Sequence, residues 1–229
     1  MKSALVVLAA CAACERKPAA PPGTVVDEGS FVTTQDGKPI ARETFAIRRV
    51  GNHFVFTAHG ETVEGAPVKN TQEGELETDL AYRPLTLTYR YDAGRESFRD
   101  TIGGTPLALD RVRDDGKDPE HIVASGPVDM YVEGPGTIAL TAVCHVAEPA
   151  TLVTLSTLHS GYRGKVLIKS VAPAGPFRRL TIRFLGDYEL EVYCRGDKLI
   201  ASGLRGNALW NVREGSEAEL APIRDAKVP

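Results

Sequence analysis

Little in these 229 residues reads as reaction machinery. There is no Gly-x-Gly-x-x-Gly run and no phosphate loop, so no nucleotide-binding turn is indicated. An excess of basic residues is missing too. The 27 lysines and arginines face 30 acids, a formal net charge of −3, which gives no electrostatic case for nucleic acid. Long apolar runs are also absent, since Ala4–Ala10 is too short to cross a membrane as a helix. Cysteine occurs four times, twice near the N-terminus and twice in the body of the chain. Hydrophobic content of 42% and charged content of 25% are ordinary, so a sizeable core is expected.

What is present is alternation. Phe45/Ile47, Phe54/Phe56/Ala58 and Leu85/Leu87/Tyr89/Tyr91 recur at every second position, with polar residues such as Thr86, Thr88 and Arg90 between them. Successive strand side chains point to opposite faces, so this spacing predicts an antiparallel meander with one apolar and one wet face. Asp36-Gly37, Gly51-Asn52 and Gly65 fall between the runs, where hairpins need residues that tolerate positive φ. The same grammar continues through Arg178–Leu185 and Tyr188–Cys194, joined at Gly186-Asp187. Glu75–Leu80 alternates, Val68–Gly74 reads as a polar loop, and Arg83-Pro84 ends a strand. The nearly continuous apolar segment Pro135–Pro149 is either a buried strand or a short helix, and the reading leans to a helix from Thr137. About twelve strands with hairpin connections must curl or close to manage their edges. The expected fold is therefore mainly β: a large curved antiparallel sheet, half-barrel or open barrel, with at most one or two short helices.

The N-terminus carries a compartment signal. Lys2 followed by Ala4–Ala10 reads as a secretory signal over residues 1–10. Its end, Leu8-Ala9-Ala10-Cys11, resembles the bacterial lipobox, which implies that Cys11 becomes the lipidated first residue of the mature chain. With Ala12 rather than aspartate next to it, the resemblance implies retention at the outer membrane, facing the periplasm. Cys14 lacks the bulky aliphatic three residues earlier. Residues 11–28 read as lipidated N-terminus and tether, with three prolines in Glu15–Gly23. Residues 29–214 then form one β domain, and the charged, aperiodic residues 215–229 a frayed tail. In an oxidising compartment Cys144 and Cys194 are expected to be bonded, the alternative being two buried thiols.

The run Gly37-Lys38-Pro39-Ile40-Ala41-Arg42-Glu43-Thr44-Phe45, then Leu76-Glu77-Thr78-Asp79 and Arg83-Pro84-Leu85, resembles a recurring opening of bacterial periplasmic half-barrel proteins. These are similar in shape to Lol-type lipoprotein carriers and to the glycolipid-binding family, curved sheets around an apolar cavity. The resemblance implies a carrier or envelope-maintenance role and transfers no catalytic residue.

His53 and His59 share a strand face but lie about 20 Å apart, too far for one metal. Asp114, Asp115, Asp118, Glu120 and His121 lack the calcium-loop spacing and read as an acidic turn. Ser156, His159 and Ser160-Gly161 lack the hydrolase elbow. Glu189 and Glu191 alternate on a polar strand face, more like solvated acids than a glycosidase pair. The set with functional promise is apolar: Phe45, Phe54, Phe56, Tyr89, Tyr91, Phe184 and Tyr188, with Trp210 beside them, either fill a core or line a cavity for acyl chains. Arg42, Arg48, Arg83, Arg90 and Arg183 are candidates for an anionic head group. The expectation is a non-enzymatic, membrane-anchored periplasmic lipoprotein that binds a lipid or other apolar ligand without a cofactor or metal. The rivals are a protein-interaction accessory of an envelope complex and a carbohydrate-active enzyme.

Overall fold

The computed structural model describes residues 23–66, 69–94, 96–131, 136–155, 163–184, 188–204 and 208–224; for Ala139, Arg163, Phe184, Tyr188 and Arg224 it describes the backbone alone. The first half of the chain gives β1 (Thr24–Gln35), β2 (Lys38–Val50), β3 (His53–Thr62), β4 (Thr71–Asp79), β5 (Pro84–Asp92), β6 (Ser97–Gly103), β7 (Ala108–Arg113) and β8 (Glu120–Val123). After β9 (Met130–Tyr131) come helix α1 (Gly136–Leu140) and a 3₁₀ segment (Thr141–His145). The second half gives β10 (Ala150–Leu155), β11 (Arg163–Ala174), β12 (Phe177–Phe184), β13 (Tyr188–Arg195), β14 (Lys198–Leu204), β15 (Leu209–Arg213) and helix α2 (Glu217–Arg224).

All fifteen strands belong to one sheet in the order β8-β7-β6-β5-β4-β3-β2-β1-β15-β14-β13-β12-β11-β10-β9. The first and last strands lie side by side in the middle, and a meander unrolls from each. The pairing is antiparallel except between β9 and β10. Alternation sets the faces as expected over most of β5, where Leu87 and Tyr89 are buried while Thr86, Thr88 and Arg90 are exposed; Leu85, expected on the apolar face, is exposed because the register with β4 shifts there. Asp36 and Gly37, both at positive φ (51° and 74°), make the two-residue turn that joins β1 to β2.

Connectivity forces the curl. Laid flat, fifteen strands would span about 67 Å. Yet the two edge strands, β8 and β9, are consecutive in the chain, and the stretch from Val123 to Met130 reaches at most about 25 Å. The sheet therefore rolls until its edges approach, although no ladder joins them among the described residues. Helix α1 and the 3₁₀ segment lie inside the roll, where Ile138, Val143 and Cys144 join Phe45, Phe56, Leu76, Tyr89, Ile102 and Leu109 in one buried cluster. A smaller cluster sits on the convex face, where Leu220 of α2 covers Phe177, Tyr193, Ile200, Ala201 and Val212.

Three elements depart from the sequence reading. Sheet structure begins at Thr24, inside the expected tether, because Val25 pairs with Arg48 and the Asp27 carboxylate meets Arg213 and Lys198. Thr71–Gly74, read as loop, is strand, paired on both sides by β3 and β5. The tail read as frayed contains α2, whose Leu220 is 1% exposed. That helix has only eight residues with Pro222 inside, too short for a periodic signal, and tertiary burial holds it.

Two devices fix the roll. Asp100 on β6 takes Nε and Nη2 of Arg111 on β7 at 2.7 Å each, with the pair fully buried, and Tyr131 of β9 donates to the same carboxylate at 3.3 Å. The guanidinium also lies 3.8 Å from the centre of the Phe98 ring. The edge strand β9 is thereby tied to β6 and β7, next to the other edge. The second device is the Cys144–Cys194 disulfide, which fastens the inner 3₁₀ segment to β13 across a separation of 50 residues.

Breaking the buried pair from one side leaves an uncompensated charge. Arg111→Met is expected to cost about 3–5 kcal/mol in urea unfolding, and Asp100→Leu/Arg111→Met less than the single change. Cys144→Ser/Cys194→Ser is expected to lose about 4 kcal/mol by the same measurement, given its loop length.

Candidate functional site

Most of the concave face is apolar, but at the β1–β2 turn end it becomes polar. A row of cross-strand neighbours runs from Ser202 through Asn211 and Thr33 to Ala41, and a second from Glu43 through Gly60 to Gln72. Thr33 Oγ1 donates to Asn211 Oδ1 at 3.1 Å, and the Tyr89 hydroxyl donates to Gln72 Oε1 at 3.3 Å. The start of α1 leans into this row. The Gly136 and Thr137 amides donate to the two carboxylate oxygens of Glu43 at 2.8 and 2.9 Å. All of these except Tyr89 and Thr137 border a notch of about 210 Å³ that also touches Arg42, Glu61 and Asn70. A wider, wetter cleft of about 500 Å³ adjoins it along the β3–β4 connection, sharing Glu61 and Asn70 and adding Glu64, Lys69 and Asp92.

Two features leave the notch open. Gly60 stands opposite Glu43 and offers no side chain; a Cβ placed there would meet nothing closer than 3.8 Å. Glu43 is spent on backbone amides rather than on a neighbouring cation. Burial pushes its carboxyl above the usual range, and the hydrogen bonds from Thr137 and Gly136 only partly offset that. The site is thus a compact set of amides and hydroxyls around one reluctant acid. It suits a ligand that brings its own hydrogen-bonding groups.

At the opposite end of the roll the described side chains pack on one another. The Tyr82 ring stacks on His145 at 3.6 Å and on Phe54 at 4.9 Å. Burial lowers the His145 imidazole, whose Nδ1 faces Asp197 at 3.5 Å while Nε2 is buried without a partner. Arg178 holds the carbonyls of Cys144, Val146 and Gly196, tying the end of the 3₁₀ segment to the β13–β14 turn. Asp27 receives Nη1 and Nη2 of Arg213, each at 2.8 Å, and Lys198 Nζ at 3.1 Å. Burial raises the Asp27 carboxyl, but those cations more than offset it and leave it below its ordinary range.

Among the described residues singled out from sequence, Arg42 borders the notch and the others fall elsewhere. Phe45, Phe56 and Tyr89 are core, and Phe54 and Tyr91 pack half-buried against it. Phe45 meets Phe31 at 5.4 Å, while Tyr89 and Tyr91 meet Phe98 at 5.8 and 5.2 Å. None of these aromatics borders the notch or the cleft. The side chains of Phe184 and Tyr188 lie outside the described residues, as do Cys11, Ser156, His159 and Ser160. Cys144 and Cys194 are joined and fully buried. Of the arginines, Arg42 pairs with Glu214 at 2.5 Å, Arg83 with Asp79 at 2.6 Å, and Arg90 approaches Asp92 at 3.9 Å. Arg48 is half-buried and Arg183 exposed; neither borders the notch or the cleft. His59 faces Glu73 at 3.4 Å, and His121 pairs with Asp110 at 2.6 Å across the convex face. Glu191 is buried under the Tyr193 hydroxyl, and Glu189 pairs with Lys169. Among the described residues no three of His, Cys, Asp and Glu gather as a metal site.

Sequence reasoning missed Glu43, Thr33 and Asn211, although a signal existed for the first. Glu43 shares strand parity with Phe45 and Ile47, so it is a charged residue on the apolar face.

Comparison with known proteins gives a likeness of outline. No family model matches the chain, and no curated protein matches it. Among solved structures it is similar to a β-barrel-like protein of the domain of unknown function DUF1849 from Brucella abortus. That match has 8% identity and a TM-score of 0.48, covering 84% of this chain and 96% of the other. At that score the likeness carries no functional argument.

The two buried acids titrate with opposite signs. Glu43, raised in the folded state, favours folding most below its unfolded value, and that contribution is lost as pH rises through its folded value. Asp27, depressed, contributes above its unfolded value and loses that contribution as pH falls through its folded one. In urea unfolding from pH 3 to 7, the stability of wild type relative to Glu43→Gln is expected to decline with rising pH. Relative to Asp27→Asn it is expected to grow, to about 1–3 kcal/mol at neutral pH.

Proposed function

We propose that this chain is a non-catalytic binding protein of the bacterial envelope, held by a lipid on Cys11, whose ligand enters the notch beside Glu43. One observation carries the reading. On a concave face where the buried apolar residues pack as one cluster, Thr33, Gln72, Ser202 and Asn211 surround an open notch built against the start of α1. Water-facing amides and hydroxyls inside a roll are costly to place and useful for recognition. The buried disulfide supports an oxidising compartment. The ligand is read as polar, or as the polar end of a lipid, because Phe45, Phe54, Phe56, Tyr89 and Tyr91, expected to line an acyl cavity, are used in core packing. Two carboxylates, Glu43 and Glu61, border the notch, but they do not flank a common bond. The register pairs Glu61 with Arg42 on the outer face, and both oxygens of Glu43 accept backbone amides. That supports binding rather than hydrolysis. A second reading, docking of an envelope protein, is favoured by exposed Val112 and Val123 on the convex side of β7 and β8 at the sheet edge.

Native mass spectrometry of protein purified from its envelope tests the first reading. A small polar adduct is expected on the wild type and, since Gly60 has room for a side chain, a loss of about tenfold in occupancy in Gly60→Val at nearly unchanged melting temperature. An adduct indifferent to Gly60→Val, or turnover of that molecule by the protein, contradicts it.

A further inference from the structure

The exposed large apolar side chains are not scattered evenly. Val25, Val26, Leu80 and Leu85 are 40–46% exposed and all lie at the same end of β1–β5. The register fixes this. Val25 pairs with Arg48, Arg48 with Val55, Val55 with Glu77 and Glu77 with Thr86, one row across five strands. Leu85 is the neighbour of Thr86, and Leu80 follows Asp79 at the end of β4. The row is about 19 Å wide. Between its ends lie the exposed turn residues Gly51, Asn52 and Ala81, with exposed Arg49 beside them and Arg83 held in its ion pair with Asp79. The chain joins the sheet here, since Thr24 pairs with Arg49. Residues 12–22 can therefore span at most about 40 Å between Cys11 and this rim. Thr33, in the notch, lies about 26 Å further along β1.

We propose that this rim is a membrane-docking face: Val25, Val26, Leu80 and Leu85 seat in the headgroup layer of a phospholipid bilayer, with Arg49 against its phosphates. This rests on the lipid-anchor reading of Cys11. An anchor alone leaves the domain free to tumble on its tether, whereas a shallow apolar rim with an arginine beside it adds a second, orienting contact. It turns the notch away from the membrane, toward the aqueous space.

The test uses the full chain in vesicles of phosphatidylethanolamine and phosphatidylglycerol with brominated acyl chains, which quench tryptophan on contact. Leu85→Trp places the reporter in the rim; Val123→Trp places it on the convex face of β8; native Trp210 gives the background. The added emission of Leu85→Trp is expected to be quenched about threefold more than that of Val123→Trp. Equal quenching at the two positions, with Cys11 shown to be acylated by the mass of the N-terminal peptide, overturns the rim while leaving the anchor. Strong quenching at Leu85→Trp with an unmodified Cys11 upholds the rim and removes the anchor reading.

Discussion

Asp100 and Arg111 bind each other through two hydrogen bonds in a place no water reaches, and the roll of the sheet depends on that contact. A wide antiparallel sheet has no intrinsic reason to stop curling at a given radius. Here the short passage from β8 to β9 brings the edges near, and Tyr131 then reaches across to the same carboxylate. Buried ion pairs contribute little net stability once desolvation is counted, yet they punish every arrangement that separates them. Geometry is what this pair fixes. With the radius set, the interior takes one short helix and a 3₁₀ turn, and the disulfide holds that insert in place.

The notch follows from the same construction. The inserted helix begins at the wet end of the roll, where its first amides need acceptors, and Glu43 supplies both from the sheet. An acid used this way is expensive, as its raised titration shows. It also couples wall to floor: anything that competes for Glu43 perturbs the start of α1.

Much of the fold was legible. Period-two alternation and positive-φ turns disclosed the sheet, its faces and nearly every hairpin, and the break of period at Pro135–Pro149 disclosed the insert. What escaped has physical causes. The strand status of Thr71–Gly74 and the seat of α2 are decided by partners far along the chain, which local pattern does not encode. The aromatic set was recognisable as buried, but whether it fills space or encloses it depends on curvature. The polar site was present in the sequence as an anomaly of parity. Glu43 beside Phe45, Asp100 between Phe98 and Ile102, and Arg111 beside Leu109 all put charge on the apolar face. Each of the three turned out to be a structural or site residue.

Hydrogen exchange at the Gly136 and Thr137 amides, followed while small molecules extracted from the envelope are added back, tests the central claim most directly. The account predicts slower exchange at these two amides and at Thr33, with the strands of the convex cluster unchanged. Unaltered exchange at the notch, with protection arising on β7 and β8 instead, would contradict it and move the functional surface to the sheet edge.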